Sequence, residues 1–176
     1  MGSIASRLES IEEKIEAACR RSGRNRQEIK LMGVTKFQSI EAVEEAYTAG
    51  LRLFGESRVQ EGRQKFLQFW ENRKLKSERD ETELHLIGSL QRNKAKAAID
   101  IFDCIHSVDR DSLIHELGVL TEKREHPLMI MLEYHTGEET KAGFPDMDSL
   151  LKAAEELNSY GGLMPAGLMT MAPFTR

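Results

Sequence analysis

The feature that most constrains the fold is the alternation of short apolar runs with segments whose apolar residues recur at helical spacing. Ile4, Leu8, Ile11 and Ile15 form one such stripe, at i, i+4, i+7 and i+11. The apolar runs predicted as strands are residues 29–34, 51–54, 84–88, 104–109, 127–134 and 167–172. Short strands that alternate with helices are typical of βα units around a parallel sheet. The sequence therefore predicts an α/β fold.

Two parallel architectures fit this alternation, a doubly wound open sheet and a (β/α)8 barrel. No G-x-G-x-x-G follows the first predicted strand and no G-x-x-x-x-G-K-[ST] occurs, which disfavours nucleotide-binding versions. A complete barrel typically needs about 200 to 250 residues, whereas this chain has 176 and ends after its sixth predicted strand. We therefore expect a single domain, 1–176, with about six βα units and without the last strands and helices of a barrel.

Charge and cysteine content narrow the class of protein. The net charge of −4 and the short basic stretches give no clustered basic surface, so no nucleic-acid partner is expected. Cys19 and Cys104 are too few for a disulfide framework and indicate buried thiols in a reducing compartment. The charged N-terminus does not fit a signal peptide, and no apolar run approaches the ~20 residues that span a bilayer. We expect a cytoplasmic protein without a membrane partner.

Small and polar residues follow the predicted strands, where functional groups gather in parallel α/β proteins. They are Thr35, Lys36, Gly55, Glu56, Ser57, Gly88, Ser89, Gln91, Asn93, His106, Ser107, Asp109, Tyr134, His135, Thr136, Thr170, Met171 and Ala172. Such residues suit the mouth of a ligand site, but any set of βα loops has a similar composition.

Lys36, directly after the first predicted strand, has two interpretations. It is either a solvated charge at a strand end or an amine partly desolvated by apolar neighbours. Desolvation lowers the pKa of a lysine and leaves free amine that can attack an aldehyde to form a Schiff base. Pyridoxal phosphate is the commonest aldehyde partner of such a lysine. The local pattern alone does not decide between them.

Other motifs are less informative. The histidines show no H-E-x-x-H spacing and no Cys-His ligand set, and no G-x-S-x-G elbow occurs. His85 alternates with Leu84 and Leu86 and is predicted as a strand residue and not a catalytic base. The methionines at strand spacing are predicted to fill the core. They are Met129, Met131, Met169 and Met171.

Six blocks of sequence, in this order, carry a resemblance to a known family. They read GVTKFQSIEAVEEAYTAG, FGESRVQEG, HLIGSLQRNKAK, IHSVDR, GEETKAGF and GLMTMAP. Together they run along nearly the whole chain. The sequence resembles the pyridoxal phosphate homeostasis proteins, which are single-domain relatives of the barrel domain of bacterial alanine racemase.

The resemblance implies a (β/α)8 TIM-type barrel of the alanine racemase N-terminal kind and a lysine that holds pyridoxal phosphate as a Schiff base. Lys36 occupies that lysine's position. The other residues expected to line the cofactor are Ser57, His85, Ser89, Asn93 and Met169. The implied role is not enzymatic: a monomer buffers intracellular pyridoxal phosphate and delivers it to dependent apoenzymes. The alternatives are a racemase-like pyridoxal phosphate enzyme and a truncated barrel with impaired cofactor binding.

Two departures from the family pattern bear on the site. The second-strand motif usually reads F-G-E-N, but here Ser57 takes the place of the asparagine. Because serine is the shorter side chain, any contact made from this position is weakened or becomes water-mediated. The family also continues past the sixth strand with segments that supply most of the phosphate cup. We expect a chain without them to bind the phosphate poorly, because helix N-termini and backbone N–H groups are the usual anion ligands.

Overall fold

Six α-helices and six strands alternate in the computed structural model, which describes residues 2–73, 82–136 and 142–171. The strands are β1 (Met32–Val34), β2 (Leu53–Glu56), β3 (Glu83–Leu86), β4 (Cys104–Val108), β5 (Leu128–Glu133) and β6 (Leu163–Met169). The helices are α1 (Ile4–Ser22), α2 (Ile40–Thr48), α3 (Val59–Arg73), α4 (Ala95–Ile99), α5 (Asp111–Thr121) and α6 (Met147–Asn158). The predicted α/β class is confirmed. In the part of the chain that the structure describes, no helix combines the length and apolar character needed to cross a bilayer.

Local capping explains where several helices begin and end. The Ser3 hydroxyl accepts a hydrogen bond from the Ser6 amide at the start of α1, and Gly23 ends that helix with a positive φ of 68°. Ser39 starts α2, and its hydroxyl accepts from the Ala42 amide. These side chains satisfy backbone N–H groups that the first turn of a helix leaves without partners.

Contacts divide the chain into two compact units, the first made of Met1–Gly55 and Gln64–Glu83. In this unit β1 and β2 pair in parallel, with Met32 opposite Leu53 and Val34 opposite Gly55. Its core is aromatic: the Phe54 ring centroid lies 5.5 Å from that of Phe66 and 6.4 Å from that of Phe69. These three fully buried rings pack α3 against β2.

The second unit comprises Glu56–Arg63 and Leu84–Arg176. Its strands β3, β4, β5 and β6 pair in parallel in chain order. Alternate residues of these strands point to opposite faces. One face carries apolar residues that are at most 4% exposed: Leu84, Leu86, Ile105, Leu128, Ile130 and Leu132. We call this the apolar face. Helix α6 is in contact with β5 and β6, and helix α5 is in contact with β6.

The opposite face of the same strands, here called the polar face, carries His85, Cys104, His106, Met129 and Met131. The strand register shows this, because His85 pairs with Cys104 and Cys104 pairs with Met129. Met129 and Met131 are half-buried.

Two strands begin three or four residues away from their predicted starts. The first strand begins at Met32 and not at residue 29, because Ile29 closes a 3-10 turn by donating to the Arg26 carbonyl. The sixth begins at Leu163 and not at residue 167. Pro165 and Gly167 discourage a strand prediction there, but a register shift opposite Ile130 and Met131 accommodates them.

Helix α4 is short, Ala95–Ile99, and a 3-10 turn precedes it. The prediction that the methionines fill the core is wrong for Met171, which is 53% exposed. Residues 137–141 of the GEETKAGF block and residues from 172 onward, including Ala172, lie outside the described residues.

Candidate functional site

Lys36 lies in a tight turn directly after β1, as predicted. The Thr35 amide donates to the Gly55 carbonyl at 2.9 Å, and the Gln38 amide donates back to the Thr35 carbonyl at 3.0 Å. Lys65 of α3 also donates from Nζ to the Thr35 carbonyl, at 2.7 Å. The turn places Phe37 in the left-handed region, with a φ of 62°. Hydrogen bonds on both sides of the turn therefore fix the backbone from which the Lys36 amine extends.

The Lys36 side chain is exposed. Of the two interpretations of Lys36, this exposure fits the solvated charge at a strand end and not the partly desolvated amine. Phe37 beside it is 72% exposed, an unusual position for a large apolar ring. A primary amine on a constrained turn, open to solvent, is accessible to an aldehyde.

Ser57 and Ser89, which follow β2 and β3, line one cavity of about 410 Å³ together with Gln60, Gln91 and Lys94. A close backbone approach brings the two loops together. A Cβ atom on Gly88 would lie 2.1 Å from the Ser57 carbonyl oxygen, so only glycine fits there. Ile87 adds a backbone hydrogen bond to the Glu56 carbonyl at 2.8 Å.

Asn93, a further predicted cofactor residue, is exposed in the 3-10 turn Arg92–Lys94 that follows this loop. It is not among the residues that line the cavity of Ser57 and Ser89. The structure therefore joins two of the predicted residues in one cavity and leaves Asn93 at its margin along the chain.

His85 is buried on the polar face of β3 and contacts His106 of β4. Its Nδ1 lies 2.9 Å from the His106 Nε2, a hydrogen bond whose donor depends on the tautomer. Burial lowers the pKa of His106, so the neutral ring is favoured. The interpretation of His85 as a strand residue is confirmed. Its histidine partner was not foreseen, because the two residues lie 21 positions apart.

Acidic and basic groups meet at the carboxyl end of β4 and β5. Burial, and then the neighbouring Asp109 charge, raise the pKa of Glu133 above its usual value. Arg110 forms an ion pair with Asp109 and donates from Nη2 to the Leu90 carbonyl at 2.9 Å. Sequence reasoning singled out Asp109 but missed Glu133 and Arg110. Glu133 could have been found from the sequence as an acidic residue at the end of β5, the most hydrophobic strand.

Met169, the last predicted cofactor residue, ends β6. It pairs with Glu133, and the Tyr134 amide donates to its carbonyl at 2.8 Å. The Met169 side chain is half-buried. Thr136 donates from its hydroxyl to the Met171 carbonyl at 2.6 Å, which continues the pairing of the two chain segments past the strands. Met169 therefore lies at the same strand end as Glu133.

Comparison with known proteins supplies the family context. Residues 6–175 match the model of the alanine racemase N-terminal domain. A pyridoxal phosphate homeostasis protein of Vibrio cholerae is 34% identical over 97% of this chain and 71% of its own length. The protein of the same name from Escherichia coli K12 is 35% identical over 89% of this chain and 66% of its own length.

Solved structures agree with the family model. PipY of Synechococcus elongatus, solved with pyridoxal phosphate bound, is 32% identical with a TM-score of 0.77, over 98% of this chain and 72% of that one. Alanine racemase from E. faecalis is 18% identical with a TM-score of 0.66, over 91% of this chain and 41% of that one. That second likeness shows the fold alone, and it agrees with the predicted alanine racemase type of α/β barrel.

Proposed function

We propose, from the premise that this chain belongs to the pyridoxal phosphate homeostasis protein family, that it binds pyridoxal phosphate through a Schiff base on Lys36. It would buffer this reactive aldehyde and deliver it to dependent apoenzymes. The observation that carries the proposal is the exposed Lys36 amine on a turn fixed by hydrogen bonds to Gly55 and Lys65. The structure of PipY with the cofactor bound supports the same ligand class.

The chemistry of the exposed amine fits the cofactor. The aldehyde of pyridoxal phosphate condenses with a primary amine, with loss of water, and the bond is reversible, as a buffering role requires. Hydrogen bonds fix the backbone of the turn that carries Lys36, while the Lys36 amine is open to solvent. The position of the amine is therefore limited by the turn, but the amine is not enclosed. Lys65 helps to position this turn through the Thr35 carbonyl.

The remaining residues proposed to line the cofactor are Ser57, His85, Ser89, Asn93 and Met169. Support is strongest for Ser57 and Ser89, whose cavity offers hydroxyl groups and the Lys94 ammonium to a polar ligand. Serine at position 57 is shorter than the asparagine that the family pattern carries there. We therefore propose that this contact to the cofactor is weaker or passes through water.

We propose a carrier that acts in the cytoplasm as a monomer, and not an enzyme. Relatives that are 34% and 28% identical over most of the chain carry homeostasis names, whereas the likeness to alanine racemase is one of fold. Delivery to an apoenzyme requires release, which hydrolysis of a Schiff base on an exposed amine permits.

Trapping with borohydride tests the proposal. The purified chain is mixed with pyridoxal phosphate at a one-to-one ratio, reduced, digested and mapped by mass spectrometry. We expect an imine absorption band before reduction and a pyridoxyl group on the Lys36 peptide afterwards. Lys36→Arg keeps the charge but cannot form the imine, and Lys96→Ala is the matched control on an exposed lysine of α4.

The outcome decides between site-specific and general amine chemistry. Lys36→Arg should lose most of the adduct, while Lys96→Ala should retain it. If both variants gave the wild-type yield, modification would be spread over surface lysines and the proposal would be wrong. Turnover of alanine enantiomers by the loaded protein would instead support the racemase alternative.

A further inference from the structure

Three metal-ligating side chains meet on the polar face of β3 and β4. The ligand atoms of His85, Cys104 and His106 all lie within 4.8 Å of one another. Cys104 is fully buried and His85 is 5% exposed, whereas His106 is half-buried and gives the cluster a more open side. No other group of three or more His, Cys, Asp or Glu with this geometry occurs in residues 2–73, 82–136 and 142–171.

The strand register produces this cluster. His85 and Cys104 are paired residues of neighbouring parallel strands, so their side chains stand side by side. His106 follows Cys104 by two residues on the same strand and therefore points to the same face. Because the three backbones belong to hydrogen-bonded strands, the arrangement does not depend on flexible loops. Rigid elements hold a ligand set more accurately than loops do.

The spacing of the donor atoms suits a tetrahedral ion. The two imidazole nitrogens are 2.9 Å apart and share one proton. Metal–nitrogen bonds of about 2.0–2.1 Å in a tetrahedral site separate two nitrogens by roughly 3.3 Å. A movement of the two imidazole rings by a few tenths of an ångström would therefore let a metal ion take the place of the shared proton. The Cys104 sulfur supplies a third ligand once it is deprotonated.

We propose that His85, Cys104 and His106 form a binding site for a thiophilic d10 cation, Zn²⁺ or Cu⁺, with one coordination position left for a further ligand. Two imidazole nitrogens and one thiolate are the donors that both ions favour, whereas Mg²⁺ and Ca²⁺ require oxygen. The site goes beyond cofactor buffering. It shares His85 with the residues proposed to line pyridoxal phosphate, and it forms in the absence of that cofactor.

Met129 distinguishes the two ions. It pairs with Cys104 across β4 and β5 and lies on the polar face, one strand beyond the thiol. A thioether is a soft ligand that Cu⁺ accepts and Zn²⁺ does not favour. The variant Met129→Leu keeps the side-chain volume and removes the sulfur. We expect it to weaken Cu⁺ binding and to leave Zn²⁺ binding unchanged.

The test uses the reduced, chelator-treated chain without pyridoxal phosphate, so a failure of Schiff-base formation does not affect it. Co²⁺ replaces Zn²⁺ as a spectroscopic probe, and competition with a chromophoric chelator gives the affinity for Zn²⁺ and, under anaerobic conditions, for Cu⁺. We expect one ion per chain, tetrahedral Co²⁺ absorption and a thiolate-to-metal charge-transfer band. That band identifies a cysteine ligand in the unmodified chain, so the result does not depend on a variant that folds.

Variants then assign the ligands. Cys104→Ser should abolish the charge-transfer band, and His106→Ala should weaken Zn²⁺ binding at least ~100-fold, because even partners of ligands change affinity 10–100-fold. Cys19→Ser, at the second buried cysteine, and His115→Ala, at an exposed histidine of α5, are the matched controls.

Absence of one-to-one binding of both ions, or an identical band in Cys104→Ser, would overturn the proposal. Equal losses in Cys19→Ser and Cys104→Ser would do the same, because they would place the metal on thiols in general. Retained affinity in the two controls with loss in Cys104→Ser and His106→Ala would support it.

Discussion

The two faces of strands β3 to β5 differ in what they contain and in what they contribute. The apolar face holds only aliphatic residues in β3 and β5, and Ile130, at its centre, is 1% exposed. The polar face of the same strands holds two histidines, a cysteine and half-buried methionines. Both faces read as buried strand in the sequence. The difference teaches that buried aliphatic side chains are concentrated on one face, while ionisable and soft ligand groups are gathered on the other.

The largest effect on stability is expected from a pair of neighbours on β5. Ile130→Ala removes a fully buried side chain from the apolar face and should lower the free energy of unfolding by about 2–5 kcal/mol. Met131→Ala, on the polar face, should cost clearly less, because the residue is half-buried. Chemical denaturation of both variants measures the difference. Equal losses would break the distinction between the two faces.

A smaller loss is expected where the loops after β2 and β3 touch. Gly88→Ala places a methyl group 2.1 Å from the Ser57 carbonyl oxygen, which is backbone and cannot rotate away. The loops must separate, at a cost of about 1–3 kcal/mol. Gly161→Ala is the control, since nothing lies within 4 Å of its added Cβ. If the two variants were equally stable in denaturant, the loops would not be held together as described.

A pH-dependent effect is expected at Glu133, where burial and the Asp109 charge raise the pKa. The folded chain then binds this proton more tightly than the unfolded chain does. Protonation therefore stabilises the fold fully below the unfolded pKa, and this contribution is lost as the pH rises through the higher folded pKa. Glu133→Gln should therefore be more stable than the wild type at neutral pH and equal to it below about pH 4.

Thermal unfolding across the pH range measures this difference. Glu155→Gln, at an exposed position of α6, should show no comparable gain at neutral pH. A Glu133→Gln variant that gained stability only in acid would have the opposite sign and would contradict the raised pKa.

The smallest effect on stability is expected at Lys36. Because its side chain is exposed, Lys36→Ala should change the free energy of unfolding by no more than about 0.5 kcal/mol. Its effect on the trapped pyridoxal phosphate adduct should be nearly complete. Denaturation and adduct yield measured on one preparation check both statements. A large loss of stability would mean that Lys36 contributes to the packing of the fold. It would contradict the prediction that this residue acts in adduct formation and not in stability.

Much of the fold could be predicted because its signals are local. The helix start at Ser39 depends on neighbouring residues, and the position of Lys36 at a strand end follows from the apolar run before it. The sixth strand was placed four residues late because Pro165 and Gly167 discourage a strand, and a register shift against β5 accommodates them. That shift is a property of two segments and is not encoded in either alone.

The candidate site was predictable in part. Ser57 and Ser89 were singled out as loop residues, but their common cavity depends on the glycine contact between two loops. The methionines were assigned to the core because the alternation of residues along a strand does not show which face of the sheet the helices cover. Glu133 was missed for a related reason, since its raised pKa comes from burial in the folded chain and then from the charge of Asp109, which follows another strand.

The sequence by itself determined the α/β class, the approximate elements and the amine after the first strand, because periodicity, caps and strand ends are written in neighbouring residues. Only the tertiary structure decided that Lys36 is exposed and that His85 lies against His106 beside Cys104. The physical reason is that parallel strands are joined by helical crossovers, so the pairing that brings distant residues together is selected by packing of the whole chain.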